Sequence, residues 1–135
     1  MTLRRILVVD DNDDDLFFAQ IILNASGVAA HVTLMETGRM ALDFLASAEG
    51  QGVDIILLAI NMPEMSGFEF LDLYQPLHDQ GLVRAPVVMH TSSSAPADKS
   101  RATAYDCVRG YLVKPISKTV ALTLAQMAAE PRPGA

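Results

Sequence analysis

The strongest constraint on the fold is an alternation, repeated five times along the chain, between a short apolar run and a longer segment of helical period. Continuous apolar runs of this length are typical of strands buried on both faces, and the helices between them cover those faces. The alternation therefore predicts an α/β fold, with a doubly wound, five-stranded parallel sheet, helices on both faces and right-handed crossovers. The predicted strands span residues 6–9, 31–35, 53–60, 87–91 and 111–113.

The helices are predicted from apolar spacing and from capping residues. The first is expected to have Asn12 or Asp13 as its N-cap and Gly27 just past its end. Pro76 is expected to end or kink the third, because proline removes a helical hydrogen bond. The predicted helices span residues 14–25, 38–47 and 66–74, and two more begin near residue 96 and after residue 117.

Composition limits the classes of protein that fit. A length of 135 residues predicts one domain over residues 1–130, followed by a disordered tail over residues 131–135. The longest apolar stretch is far shorter than the ~20 residues of a membrane span, so no membrane segment is expected. Sixteen acidic against ten basic residues give a net charge of −6, which argues against nucleic-acid binding. A lone Cys107 excludes an internal disulfide and indicates a cytoplasmic protein.

The acidic residues are unevenly distributed. Five of the sixteen lie between Asp10 and Asp15, directly after the first apolar run. Negative charge is favourable at a helix N-terminus, so we interpret Asp13, Asp14 and Asp15 as a solvated first helical turn. Asp10 and Asp11 instead mark the end of the first predicted strand.

Polar residues also follow the other predicted strands. Asn61 comes after the third strand, Thr91 ends the fourth and Lys114 follows the fifth. Ligands of doubly wound sheets bind beyond the carboxyl ends of the strands. Together with Asp10 and Asp11, these residues predict carboxylates, a hydroxyl and an ammonium group at one edge of the sheet. Such a set indicates a site for phosphate and metal.

Four motifs at these strand ends resemble those of response-regulator receiver domains. The resemblance covers residues 4–129 and is carried by Val8-Val9-Asp10-Asp11-Asn12, Asn61-Met62-Pro63-Glu64-Met65-Ser66-Gly67, Thr91-Ser92 and Tyr111-Leu112-Val113-Lys114-Pro115. It implies a flavodoxin-like strand order of 2-1-3-4-5. It also implies a single-domain response regulator of a bacterial two-component phosphorelay that acts through protein interaction and is not an enzyme.

In that family an aspartate at the end of the third strand accepts a phosphoryl group from a phosphohistidine of a sensor kinase, with Mg²⁺ at the site. The resemblance implies that Asp11 is a direct Mg²⁺ ligand, that Asp10 binds the ion through water, and that the backbone carbonyl of Asn61 is a further ligand. Oxygen donors with retained waters are what Mg²⁺ requires.

The resemblance also implies three residues that respond to the phosphoryl group. Lys114 would pair with the phosphoryl oxygens and Thr91 would hydrogen-bond to them as the switch hydroxyl. Tyr111 would be the aromatic residue whose rotamer reports the switch. Phosphoryl transfer of this kind depends on positioning and charge neutralisation.

One position departs from the family pattern. Where the family has the acceptor aspartate, this chain has Ala59. A methyl group can neither attack phosphorus nor ligate a metal, so we expect a non-phosphorylatable form with weakened Mg²⁺ binding. Because the other site residues are retained, we favour an engineered change of a competent receiver. The alternative is a natural pseudo-receiver that acts as a phosphorylation-independent interaction module.

The expected partner is a sensor histidine kinase or a phosphotransfer protein, as the family resemblance implies. The first helix carries an apolar stripe wider than a half-buried helix needs, and two interpretations stay open. Either it is a wide core face with one aromatic residue outside, or it is a docking surface. A homodimer through the fourth helix, fifth strand and fifth helix is a further expectation. The loops also resemble those of receivers paired with bacterial phytochrome kinases.

Overall fold

The sheet contains five parallel strands in the order β2-β1-β3-β4-β5. The computed structural model describes residues 2–129. Its strands are β1 Leu3–Val9, β2 Ala29–Met35, β3 Ile55–Leu58, β4 Val87–Thr91 and β5 Val108–Val113. The predicted fold class and the strand order implied by the family resemblance are both confirmed.

Five α-helices and one short 3-10 helix join the strands within the described residues. The helices are α1 Asp13–Ser26, α2 Gly38–Ala46, the 3-10 helix Glu49–Gly52, α3 Gly67–Asp79, α4 Pro96–Thr103 and α5 Lys118–Ala129. Asn12 is the N-cap of α1, because its side chain accepts a hydrogen bond from Asp15 N. Gly27 closes the same helix with a left-handed φ of 70°. None of these helices is long and apolar enough to cross a membrane.

The two faces of the sheet each bury a separate apolar core, because successive side chains of a strand point to opposite faces. Leu7 and Leu58 point toward α2, α3 and α4, where Phe70 is fully buried. Ile6 and Leu57 point toward α1 and α5. The apolar runs are therefore continuous, since both faces of the central strands are covered.

The observed strands differ in length from the predicted ones. The third is shorter than the predicted span of 53–60, because Ala59 and Ile60 are buried but lie past the end of the ladder. The fifth begins at Val108, three residues before the predicted start. The prediction missed this part because Arg109 and Gly110 interrupt the apolar pattern, and the pairing with β4 shifts its register there.

Pro76 does not end α3, which continues to Asp79. Of the two alternatives predicted for Pro76, the helix end is wrong for a local reason, and the kink stays a prediction. Proline leaves the carbonyl of Asp72, four residues earlier, without a helical donor, and Asp72 is exposed to water. Leu77, after the proline, packs against the core and favours continuation of the helix. The predicted tail over residues 131–135 lies outside the described residues and stays a prediction.

Gly67 is required for the close packing of α3 against the end of β3. Its N–H donates to Ile60 O at 2.7 Å, and an added Cβ would lie 2.3 Å from Ala59 O. We expect Gly67→Ala to lower the free energy of unfolding by about 1–3 kcal/mol, because backbone must move to admit the methyl group. Urea unfolding measures this. Gly52→Ala is the control, since no atom lies within 4 Å of its added Cβ. Equal stabilities of the two variants would contradict the prediction.

Candidate functional site

The end of β1 places one buried and one exposed carboxylate side by side. Asp10 is 2% exposed, its N–H donates to Met35 O at 3.1 Å, and its Oδ1 accepts from Asn12 N at 3.0 Å. Asp11, the next residue, is exposed. The end of β1 therefore places the carboxylate of Asp10 inside the protein and the carboxylate of Asp11 in solvent.

Lys114 crosses from the end of β5 to the end of β1. Its backbone N–H donates to Thr91 O at 2.8 Å, and a cis peptide bond joins it to Pro115. Its Nζ lies 2.5 Å from Asp10 Oδ2 and 2.8 Å from Asp15 Oδ2. Burial lowers the pKa of Lys114, but the hydrogen bonds and charges of the two carboxylates outweigh burial and raise it above its ordinary value. The ammonium group is therefore charged and held between β1 and α1.

Asp15 is the site residue that sequence reasoning missed. We predicted it as one of three solvated acids, but only Asp13 and Asp14 are fully exposed, and Asp15 pairs with Lys114. The two residues are 99 positions apart in sequence, so no local pattern indicates the contact. A carboxylate on α1 thus belongs to the strand-end cluster.

Ala59 lies directly after β3, between the ends of the neighbouring strands. Its N–H donates to Val9 O at 3.0 Å and the residue is 3% exposed. The methyl group belongs to the apolar core under α2 and α3, whereas Asn61, two residues on, is exposed. Position 59 therefore offers a methyl group, which is neither a nucleophile nor a carboxylate.

The segment after β4 connects the predicted switch residues. Thr91 is buried, and its Oγ1 accepts a hydrogen bond from Ser93 N at 3.1 Å. Tyr111 is partly buried, and its hydroxyl donates to Ser93 O at 2.9 Å. Thr91 and Tyr111 are thus joined through the backbone of a single residue. The sequence has three consecutive serines here, and it does not indicate which of them makes these contacts.

His90 is a second polar group buried beside the site. It is 3% exposed, and its Nε2 has no hydrogen-bond partner among the described residues. Burial first, and then the charge of Lys114, lower the pKa of His90 to about 4, while Asp10 and Asp15 oppose this only in part. The imidazole is therefore neutral at pH 7. Its buried position indicates a structural role.

The magnesium site that the resemblance implies consists of two carboxylates and one backbone carbonyl. Within residues 2–129, no group of three or more His, Cys, Asp and Glu side chains lies close enough together to hold a metal ion. The Oδ2 of Asp10 faces the ammonium group of Lys114 instead. The three expected ligands, Asp10, Asp11 and the carbonyl of Asn61, therefore keep that role only as a prediction.

The outer face of α1 carries three large apolar side chains. Phe17 is 62% exposed, Ile21 49% and Phe18 44%, whereas Leu16 and Leu23 are buried on the opposite face. The interpretation of a core face with one aromatic residue outside is wrong, because both phenylalanines are outside. The exposed surface formed by Phe17, Phe18 and Ile21 is called the α1 patch below.

Comparison with known proteins gives consistent results. The family model of the response regulator receiver domain matches residues 6–126. Two-component response regulator ORR1 of Oryza sativa subsp. japonica is 33% identical over 120 residues, which cover 83% of this chain and 49% of the relative. This chain therefore spans about half of the length of ORR1.

Solved structures with the same fold include two response regulators. One, from Cytophaga hutchinsonii, is 25% identical with a TM-score of 0.85, over 95% of this chain and 98% of that one. The bacteriophytochrome response regulator AtBRR is 28% identical with a TM-score of 0.76, over 95% of this chain and 94% of that one.

The low pKa of His90 makes stability depend on pH. In the unfolded chain the imidazole binds a proton near pH 6.5, but in the folded chain only near pH 4. Its contribution to stability is therefore complete above about pH 6.5 and is lost as the pH falls toward 4. The unfolding free energy of both proteins is compared at about pH 7 and pH 5. We expect it to fall by roughly 2 kcal/mol less in His90→Leu than in the unsubstituted chain.

Urea unfolding at several pH values measures this difference. His31→Gln is the control, because it removes an imidazole that is exposed. If His90→Leu keeps the pH dependence of the unsubstituted chain, the low pKa of His90 is not the cause of that dependence.

Proposed function

Because the chain belongs to the response regulator receiver domain family, we propose that it is the receiver of a bacterial two-component phosphorelay in a non-phosphorylatable form. One observation carries the proposal. Lys114 and Asp10 meet in an ion pair at the ends of β5 and β1, but the residue that follows β3, a strand between these two in the sheet, is Ala59. The site thus has charged groups of the kind that suit a phosphoryl group and, at position 59, a methyl group in place of an accepting oxygen.

The remaining polar residues suit the roles that the family gives them. Lys114 presents a charged ammonium group that would neutralise phosphoryl oxygens, and Thr91 presents a hydroxyl at the end of the neighbouring strand. Tyr111 lies on β5 and is joined to Thr91 through Ser93. We propose that these three residues would respond to a phosphoryl group on a carboxylate at position 59.

Receiver domains typically bind Mg²⁺ at the acceptor site. In this chain we propose that Mg²⁺ binding by Asp10, Asp11 and the Asn61 carbonyl is weak. The carboxylate at position 59 is missing, and Lys114 already neutralises Asp10. Bound Mg²⁺ would supply charge neutralisation for anionic oxygens at this edge of the sheet.

Receiver domains interact with histidine kinases or phosphotransfer proteins. We propose that such a partner binds the α1 patch. The patch begins two residues after Asp15, whose carboxylate contacts Lys114, so a partner there would lie next to the site. An exposed apolar surface adjoining a functional site is typical of protein interfaces.

We propose a homodimer through α4, β5 and α5, which is supported by the exposed side chains of Val113 and Leu122. The net charge of −6 favours protein partners over nucleic acid or membrane, and a cytoplasmic location follows from the role. The similarity to AtBRR supports a phytochrome-associated subtype.

The origin of Ala59 has two explanations. We favour an engineered substitution, because Asp10, Asp11, Thr91 and Lys114 are all retained around it. A natural pseudo-receiver is the alternative, and one observation favours it. Lys114 pairs with both Asp10 and Asp15 without any carboxylate at position 59.

Restoring the carboxylate tests the proposal. In Ala59→Asp the new carboxylate is expected to attack the phosphorus of acetyl phosphate in the presence of Mg²⁺ and to release acetate. Intact mass spectrometry would then show one added phosphoryl group. The unsubstituted chain and Ala59→Asn, which has the same shape but no nucleophilic oxygen, are expected to show none. Phosphorylation of the unsubstituted chain would contradict the proposal, and no phosphorylation of any form would favour the pseudo-receiver.

The same substitution is expected to lower stability when metal is removed. Ala59→Asp adds a carboxylate beside Asp10 and Asp11, and like charges at close range repel each other. In chelator we expect its Tm to lie about 2–6 °C below that of the unsubstituted chain, which corresponds to roughly 1 kcal/mol. Ala59→Asn controls for polarity without charge. Thermal melts that place Ala59→Asp above the unsubstituted chain in chelator would refute this prediction.

A further inference from the structure

Two carboxylates of different exposure hold the ammonium group of Lys114. Asp10 is 2% exposed, and its Oδ1 accepts a hydrogen bond from Asn12 N at 3.0 Å. The side chain of Asp15 is 40% exposed, and its Oδ2 lies 2.8 Å from the Nζ of Lys114. Asp10 therefore belongs to the buried side of the site, whereas Asp15 approaches Lys114 from the surface of α1.

The charges of this cluster do not balance. Lys114 contributes one positive charge, and Asp10 and Asp15 contribute two negative charges. Position 59 directly follows β3, which lies between β1 and β5 in the sheet. An anionic group there would add negative charge to a cluster that already has an excess of it. The carboxylate of Asp15 thus weakens the electrostatic attraction between Lys114 and such an anion.

Asp15 is distinguished from the two acidic residues before it by its position. Asp13 and Asp14 lie in the same first turn of α1 and are exposed. The N–H of Asp15 donates to the N-cap oxygen, Asn12 Oδ1, at 3.0 Å. The cap therefore fixes the backbone at the point from which the side chain reaches Lys114. One acidic residue of the three thus faces the strand-end site.

We propose that Asp15 is a positioning residue that draws the ammonium group of Lys114 toward α1 and competes for it with an anion at position 59. Without the charge of Asp15, Lys114 is paired with Asp10 alone, and more of its positive charge is available to that anion. The hold on Lys114 rests on the contacts described above, whereas the competition rests on the proposed function. Asp15 on this basis sets how readily the site accepts a phosphoryl donor.

The three lysines of the chain provide a test with internal standards. Lys99 and Lys118 are exposed, whereas the side chain of Lys114 is 15% exposed. Acetylation by N-hydroxysuccinimidyl acetate at fixed pH, followed by peptide mass spectrometry, measures the reactivity of each amine. We expect Asp15→Asn to speed acetylation of Lys114 by about two- to fivefold relative to the other two lysines, because one ion pair is lost.

The neighbouring acidic residues are the matched controls. Asp13→Asn and Asp14→Asn remove the same charge from the same helical turn, and we expect them to leave the acetylation of Lys114 unchanged. Asp15→Glu keeps a carboxylate, and we expect it to keep the acetylation of Lys114 slow. The hold on Lys114 is overturned if Asp15→Asn leaves this acetylation unchanged, or if either control variant has the same effect as Asp15→Asn.

A second experiment, in the Ala59→Asp background, tests the competition. Phosphorylation by acetyl phosphate in the presence of Mg²⁺ is followed by intact mass at several donor concentrations. We expect Asp15→Asn to lower the donor concentration that gives half of the maximal rate by about two- to fivefold, and Asp13→Asn to leave it unchanged. An equal concentration with and without Asp15→Asn overturns the competition. If no form is phosphorylated, the proposed function fails, while the acetylation of Lys114 still decides whether Asp15 positions it.

Discussion

The ammonium group of Lys114 is the contact on which the strand-end site depends. It joins Asp10, the buried residue directly after β1, to Asp15 on α1, and it comes from the end of β5. Without this cation, Asp10 would be a buried carboxylate with no opposite charge, which is costly in a protein interior. The ion pair thus permits a charged group beside the apolar core and brings together elements that are distant in sequence.

The buried side of the strand-end site belongs to the apolar core. Ala59 and Ile60 belong to the apolar cluster that also contains Leu58 and Phe70. Gly67 brings the first turn of α3 against the same backbone, so there is little space for adjustment at this point. A side chain at position 59 therefore lies between the close-packed apolar core and the charged side chains of Asp10 and Lys114. Its polarity affects the packing of the core and the electrostatics of the charged side chains.

Much of this architecture could be predicted from the sequence, for a physical reason. Buried parallel strands require apolar runs, and the polar residues that follow them must meet at one edge, so Asp10, Thr91 and Lys114 were identifiable. The missed contacts depend on tertiary position. Asp15 looks like its two exposed acidic neighbours, and Ser93 looks like the serines on either side. Only the folded chain distinguishes them, because burial and distance separate residues that share the same chemistry.

The strand order has a mechanical consequence for the site. Since β5 is an edge strand, the backbone ladder ties it to β4 alone, whereas β1 and β3 are paired on both sides. Tyr111 therefore lies on one of the two edge strands, and Lys114 directly follows that strand and joins its end to Asp10 and Asp15. Small displacements of this strand would alter the charge pairing of Asp10 without breaking the central ladders. The edge of the sheet is thus the part of the fold best suited to adjust.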